Sequence, residues 1–86
     1  MEKIKAVVYG LGPIGAKMVQ FLHERGSFEI VGGIDIAPDK IGKDIGEIGG
    51  IGQNLGIKVK SDVQAVLQRV KPDIVVLTTT SILERI

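Results

Sequence analysis

Six consecutive residues near the amino terminus, Gly10-Leu11-Gly12-Pro13-Ile14-Gly15, follow the spacing G-x-G-x-x-G. Each glycine in such a turn has its own physical task. Gly10 permits a sharp exit from a strand, and Gly12 lets the backbone approach a bulky anion with no Cβ in the way. Gly15 allows the following helix to press against the sheet. Leu11, Pro13 and Ile14 lie between them, where the first helical turn leaves amide groups without intrahelical partners at the positive end of the helix dipole. Such a turn suits a diphosphate. Glycine-rich turns also occur without ligands, so the motif gains weight only between a strand and a helix.

Asp35 is the second candidate, 20 positions beyond Gly15. A carboxylate there can accept hydrogen bonds from the hydroxyls of an adenosine ribose, and it repels a phosphate on the 2′ position. Lys40 and Lys43 follow and could reach over such a phosphate. The expectation is an NAD site with NADP tolerated. A third candidate is the hydroxyl run Thr78-Thr79-Thr80-Ser81. Thr79 and Thr80 either contact the dinucleotide or cap the next turn, and the sequence leaves both readings open.

These residues need a scaffold, and the hydropathy pattern supplies one. Residues 3–9 form an apolar run closed by Gly10, as in a strand buried on both faces. Pro13 then opens a helix whose apolar positions Ile14, Met18, Phe21 and Leu22 predict its inner face, with Gly26 as its cap. Residues 28–34 read as a second strand ending at Asp35. Residues 37–56 hold six glycines, which suggests a structured loop with one helical turn near residues 43–48 and mobility at residues 49–52. Residues 57–60 read as a short third strand. Ser61 with Gln64 forms a capping box for a second main helix carrying Val63, Val66, Leu67 and Val70, which Pro72 ends. A fourth strand occupies residues 73–77. The order β-α-β-loop-β-α-β implies an α/β fold, a truncated Rossmann-type doubly wound parallel sheet of about four strands and two main helices. The first and fourth strands should flank the ligand crevice.

Composition removes many other functions. The chain has 86 residues, no cysteine and one histidine, so neither a disulfide framework nor a thiolate metal site can form. Its formal charge of +1 advertises neither a nucleic-acid nor a polybasic membrane surface. No apolar run approaches a membrane span, and the start lacks a secretory signal, so a cytoplasmic location is expected. His23, beside Glu24 and Arg25, reads as a helix surface residue, and Tyr9 as packing. Asp44 and Glu47 fit local capping or solvation, and Asp62 fits an acid in a helical first turn. No residue qualifies as a catalytic acid, base or nucleophile.

Taken together the motifs resemble a known family. The run from Val7 to Gly15 and Val31-Gly32-Gly33-Ile34-Asp35 resemble the start of dihydrodipicolinate reductase and its relative 2,4-diaminopentanoate dehydrogenase. Ile41-Gly42-Lys43-Asp44-Ile45-Gly46-Glu47-Ile48-Gly49 is similar to the family's G-x-D-x-G-E-x-x-G segment. The stretch from Lys71 to Ser81 is closest to the diaminopentanoate side. The resemblance covers nearly the whole chain. It implies NAD(P)-dependent oxidoreductase chemistry, with the cofactor held by Gly10, Gly12, Gly15, Asp35 and the region of Thr79 and Thr80. Family members also carry a substrate-binding domain that this chain lacks, so the expectation is an incomplete dinucleotide-binding domain, inactive alone. The alternative is a stand-alone nucleotide-sensing regulatory module. The open edge of the fourth strand, followed by Ile82, Leu83 and Ile86, predicts self-association through that edge or the C-terminal segment.

Overall fold

The computed structural model describes residues 3–78. It contains β1 (Ile4–Tyr9), α1 (Pro13–Arg25), β2 (Phe28–Ile34), α2 (Ile45–Gly49), α3 (Val63–Val70) and β3 (Ile74–Leu77). The three strands form one parallel sheet in the order β2-β1-β3. β1, the central strand, buries Ala6, Val7 and Val8 completely. Alternation along the strand sends Ala6 and Val8 to one face, with Leu11, Val19, Leu22 and Ile45, and Val7 to the other, with Ile34 and Val66. Helices α1 and α2 thus cover one side of the sheet and α3 covers the other.

The third strand expected at residues 57–60 does not form a ladder. The segment makes two isolated bridges, one parallel between Ile34 and Lys60 and one antiparallel between Asp44 and Lys58. The reason is divided partnership: Val59 donates to the Lys43 carbonyl and Lys60 to that of Gly33, so neither neighbour builds a ladder. The N–H groups of Leu55, Gly56 and Ile57 donate to the Asp44 carboxylate. Gly56 itself turns the chain at φ 78°. Val59 is nevertheless fully buried, so the segment packs as a strand would without pairing as one.

The inner face of α1 also departs from the sequence pattern. Gly15, Val19 and Leu22 face the sheet, while Ile14 and Phe21 are 54% and 49% exposed. Gly15 decides the rotation, because a Cβ there would overlap the Gly10 carbonyl oxygen. Once Gly15 is inward, positions i+4 and i+7 follow it, and Ile14 and Phe21 turn out. The Arg25 guanidinium sits 5.2 Å above the Phe21 ring and shields part of it.

Helix ends follow side-chain chemistry. Gly26 closes α1 in the left-handed conformation, as its sequence position predicts. The cap of α3 is Asp62, whose carboxylate accepts the Ala65 N–H at 3.1 Å, and not Ser61. The carboxylate is one residue nearer the helix and reaches the N3 amide directly. Residues 49–52, expected to be mobile, end α2 with an ordered cap. Gly50 adopts φ 67° and donates to the Glu47 carbonyl, and Ile51 donates to that of Gly46. The opposed exposures on α1 give a direct test. Val19→Ala should cost about 2–3 kcal/mol in urea unfolding, and Phe21→Ala less than about 1 kcal/mol.

Candidate dinucleotide-binding turn

The link from β1 to α1 places the three motif glycines in different environments. Gly10 has φ 100°, a conformation that side chains resist, and donates its N–H to the Ile34 carbonyl at 2.8 Å. Gly15 is clamped against Gly10. At Gly12 a Cβ would meet nothing within 4 Å, and the residue caps α1 with no side chain of its own. Pro13 is the first helical residue. The amides of Gly12, Ile14 and Gly15 have no acceptor among the described residues, so the helix start presents open space and free donors together. That combination fits a diphosphate.

Asp35 stands at the carboxyl end of β2 and ties the turn down. Its Oδ2 accepts the Leu11 N–H at 2.7 Å and its Oδ1 accepts that of Ala37 at 2.9 Å. Burial works against its charge, but the amides of Ala37 and Leu11, the nearby Lys40 and the Ile36 amide outweigh it and lower its pKa. Each oxygen keeps a second acceptor direction, so a sugar hydroxyl can be taken without releasing the loop. With its folded pKa depressed, the stability Asp35 contributes is present above its unfolded value, about 4, and is lost as pH falls through the folded one.

A cleft of about 290 Å³ opens beside the turn, with Leu11, Gly12 and Pro13 on one wall and Lys40, Lys43 and Ile48 on the other. The two lysines noted downstream of Asp35 therefore converge on the glycine turn. A separate cavity of about 230 Å³, lined in part by Lys58, Lys60 and Arg69, lies between α3 and the outer side of β2 and shares no residue with this cleft.

From the predicted site the fold gathers Gly10, Leu11, Gly12, Pro13, Ile14, Gly15 and Asp35 at one end of the sheet. Thr79 and Thr80 lie outside the described residues. Thr78 is visible and structural: its N–H donates to the Tyr9 carbonyl at 2.9 Å, and its hydroxyl hydrogen-bonds the carbonyls of Tyr9 and Gly10, fastening the end of β3 to the turn. The residue whose reach exceeds its sequence reading is Asp44. It caps α2 as local chemistry suggests, but it also binds three amides from residues 55–57. Its sequence spacing carries no signal of that reach, since the donors lie eleven to thirteen positions further on. No group of three potential metal ligands occurs among the described residues, and no helix among them is long and apolar enough to cross a membrane.

A parallel β-α-β unit with a glycine turn at its first crossover and an acid after its second strand defines a Rossmann-type α/β domain. The family model "Dihydrodipicolinate reductase, N-terminus" matches residues 4–84, and the chain belongs to that family. It is 42% identical over 67 residues to a 4-hydroxy-tetrahydrodipicolinate reductase of Prochlorococcus marinus (strain MIT 9313), covering 77% of this chain and 23% of that protein. An amine dehydrogenase of Streptomyces virginiae is 32% identical over 64 residues, or 74% of this chain and 18% of the relative. The solved structure of an amine dehydrogenase from Mycobacterium smegmatis superposes with a TM-score of 0.79 at 40% identity, covering 84% of this chain and 21% of that one. The chain thus spans less than a quarter of the length of these relatives.

The two glycines that differ most in surroundings give opposite expectations. Gly15→Ala should destabilise the fold by about 2–4 kcal/mol, because backbone has to move. Gly12→Val should change stability by no more than about 1 kcal/mol, the scale of an N-cap substitution. Thermal unfolding followed by circular dichroism measures both.

Proposed function

We propose that the chain is the nicotinamide-dinucleotide-binding unit of an NAD(P)-dependent oxidoreductase of this family. The observation that carries the reading is the unobstructed approach at Gly12, with its own amide and those of Ile14 and Gly15 unpartnered among the described residues and Asp35 bracing the loop behind it. The diphosphate lies against the amides of Gly12, Ile14 and Gly15, and the adenosine ribose beside Asp35. Gly10 shapes the turn, while Leu11 and Pro13 form its wall. Thr79 and Thr80 are proposed to line the nicotinamide side, where β3 leaves the sheet. When bound, the dinucleotide supplies a hydride at its nicotinamide ring.

The chain's own residues bind and orient. Hydride transfer also needs a substrate carbon held against the nicotinamide. The relatives have more than three quarters of their length beyond the matched part, and that is where the substrate domain is proposed to lie. By itself the chain is then inactive. Asp35 favours NAD, and Lys40 and Lys43 leave NADP tolerated. A cytoplasmic setting suits this chemistry. Family membership is what favours an oxidoreductase unit over a regulatory nucleotide sensor.

Calorimetric titration tests the cofactor reading. NADH at about one hundred times its dissociation constant should stabilise the fold by about 2.7 kcal/mol, and Gly12→Val should abolish that gain. A tenfold preference for NADPH over NADH would contradict the assignment to NAD. Self-association is the second part of the proposal. β3 has β1 on one side and no strand on the other among the described residues, and Ile74, Val75 and Leu77 are exposed. Sedimentation should give a dimer or larger species at high micromolar concentration; a stable monomer there would refute it.

A further inference from the structure

We propose that Asp44 is a positioning residue for the dinucleotide cleft: its carboxylate holds Lys43 and Ile48 against the glycine turn and so sets how well an adenosine 2′-phosphate is accepted. The proposal rests on the dinucleotide reading above and extends it to a residue that touches no cofactor.

Asp44 is 8% exposed, and its carboxylate contacts are to main-chain amides. Oδ1 accepts from Gly46 at 2.8 Å and Leu55 at 2.7 Å. Oδ2 accepts from Gly56 at 2.8 Å and Ile57 at 3.1 Å. Four donors on one carboxylate use its whole acceptor capacity. Three of them, Leu55, Gly56 and Ile57, lie at the entry to the segment 57–60 that was expected to pair as a strand. The same segment is stitched to the residues flanking Asp44: Val59 donates to the Lys43 carbonyl at 2.9 Å, and Ile45 donates to that of Ile57 at 2.8 Å. The Lys43 main chain is therefore held at its carbonyl by Val59 and at its N–H by the Lys40 carbonyl, 3.1 Å away.

The far end of α2 is fixed separately. The Gln20 side chain donates to the Gly49 carbonyl at 2.5 Å, and a Cβ on Gly49 would come within 2.5 Å of Val19. Asp44 thus anchors the start of a short helix whose end is already docked on α1. Ile48 and Lys43, on the cleft wall, have their positions set by that pair of anchors. Lys40, whose charge helps lower the Asp35 pKa, and Lys43 together exceed Asp39 on this wall by one positive charge, and that excess opposes the repulsion between Asp35 and a 2′-phosphate. Releasing Lys43 tips this balance against the phosphorylated cofactor and leaves the diphosphate contacts at Gly12 in place.

Asp44→Asn keeps the size of the side chain but replaces one acceptor oxygen by an amide that faces two donors. Calorimetric titration of the wild-type and variant chains with NADH and NADPH reads the effect. NADPH affinity should fall about tenfold, the scale of one lost charge-assisted contact, while NADH affinity changes less than about threefold. Lys43→Met should reproduce the same shift in the NADPH-to-NADH ratio. An unchanged ratio in Asp44→Asn overturns the proposal, because general loosening of the fold weakens both ligands alike. If that variant is unfolded by circular dichroism, Gly46→Ala is titrated instead, since its Cβ would press on the Gln53 carbonyl oxygen and crowd the Leu55 amide held by the carboxylate. Unfolding of both variants overturns the proposal as well, showing that Asp44 holds the fold as a whole. A wild-type chain that binds neither nucleotide refutes the dinucleotide reading, and this proposal with it.

Discussion

Contact between the backbone of Gly15 and the Gly10 carbonyl is the constraint from which the remaining geometry follows. It brings the first turn of α1 onto the carboxyl end of β1 at a separation no side chain permits. The rotation of the helix is thereby set, and with it the choice of Val19 and Leu22 as core residues. The start of the helix is held at the carboxyl end of the sheet, where the amides of Gly12, Ile14 and Gly15 have no acceptor among the described residues. Packing and the presentation of free amides therefore have one cause at this turn.

Around that contact, aspartates act as organisers of main chain. Asp35 holds Leu11 and Ala37, Asp44 holds four amides, Asp62 caps α3, and Asp73 accepts the Lys5 N–H where β3 begins. A short chain with a small core buries a limited share of its surface, and these local bonds define loops that packing alone would leave loose. Their charged acceptors are worth more per bond than neutral ones. Gly46 is the counterpart, removing a side chain where the Asp44 carboxylate draws the backbone of residues 53–55 close.

Much of this was legible in the residues. The strand–glycine turn–helix succession, the acid after β2 and the α3 face of Val63, Val66, Leu67 and Val70 all follow from periodicity and turn chemistry. The features that escaped it depend on contacts distant in sequence. The inner face of α1 could not be found by counting apolar residues, because its key position is a glycine. Residues 57–60 look like a strand, yet the amides just ahead of them are drawn to a carboxylate eleven to thirteen positions earlier. Within the candidate site, the glycine turn and Asp35 were readable as a unit. The reach of Asp44 was not, since an acid beside a short helix looks like an ordinary cap.

The glycine pair in β2 has a further bearing on the architecture. Gly32 sits at the register shift opposite Val7, and a Cβ on it would press on Val66 at 3.1 Å; one on Gly33 would press on Ile45 at 2.6 Å, from the other side. At this point the sheet is reduced to bare ribbon, and the layers above and below nearly meet through it. Bulk added at one of these neighbours would wedge only the layer it faces. The layer of α1 and α2 and the layer of α3 are thus mechanically separable, although a single strand divides them.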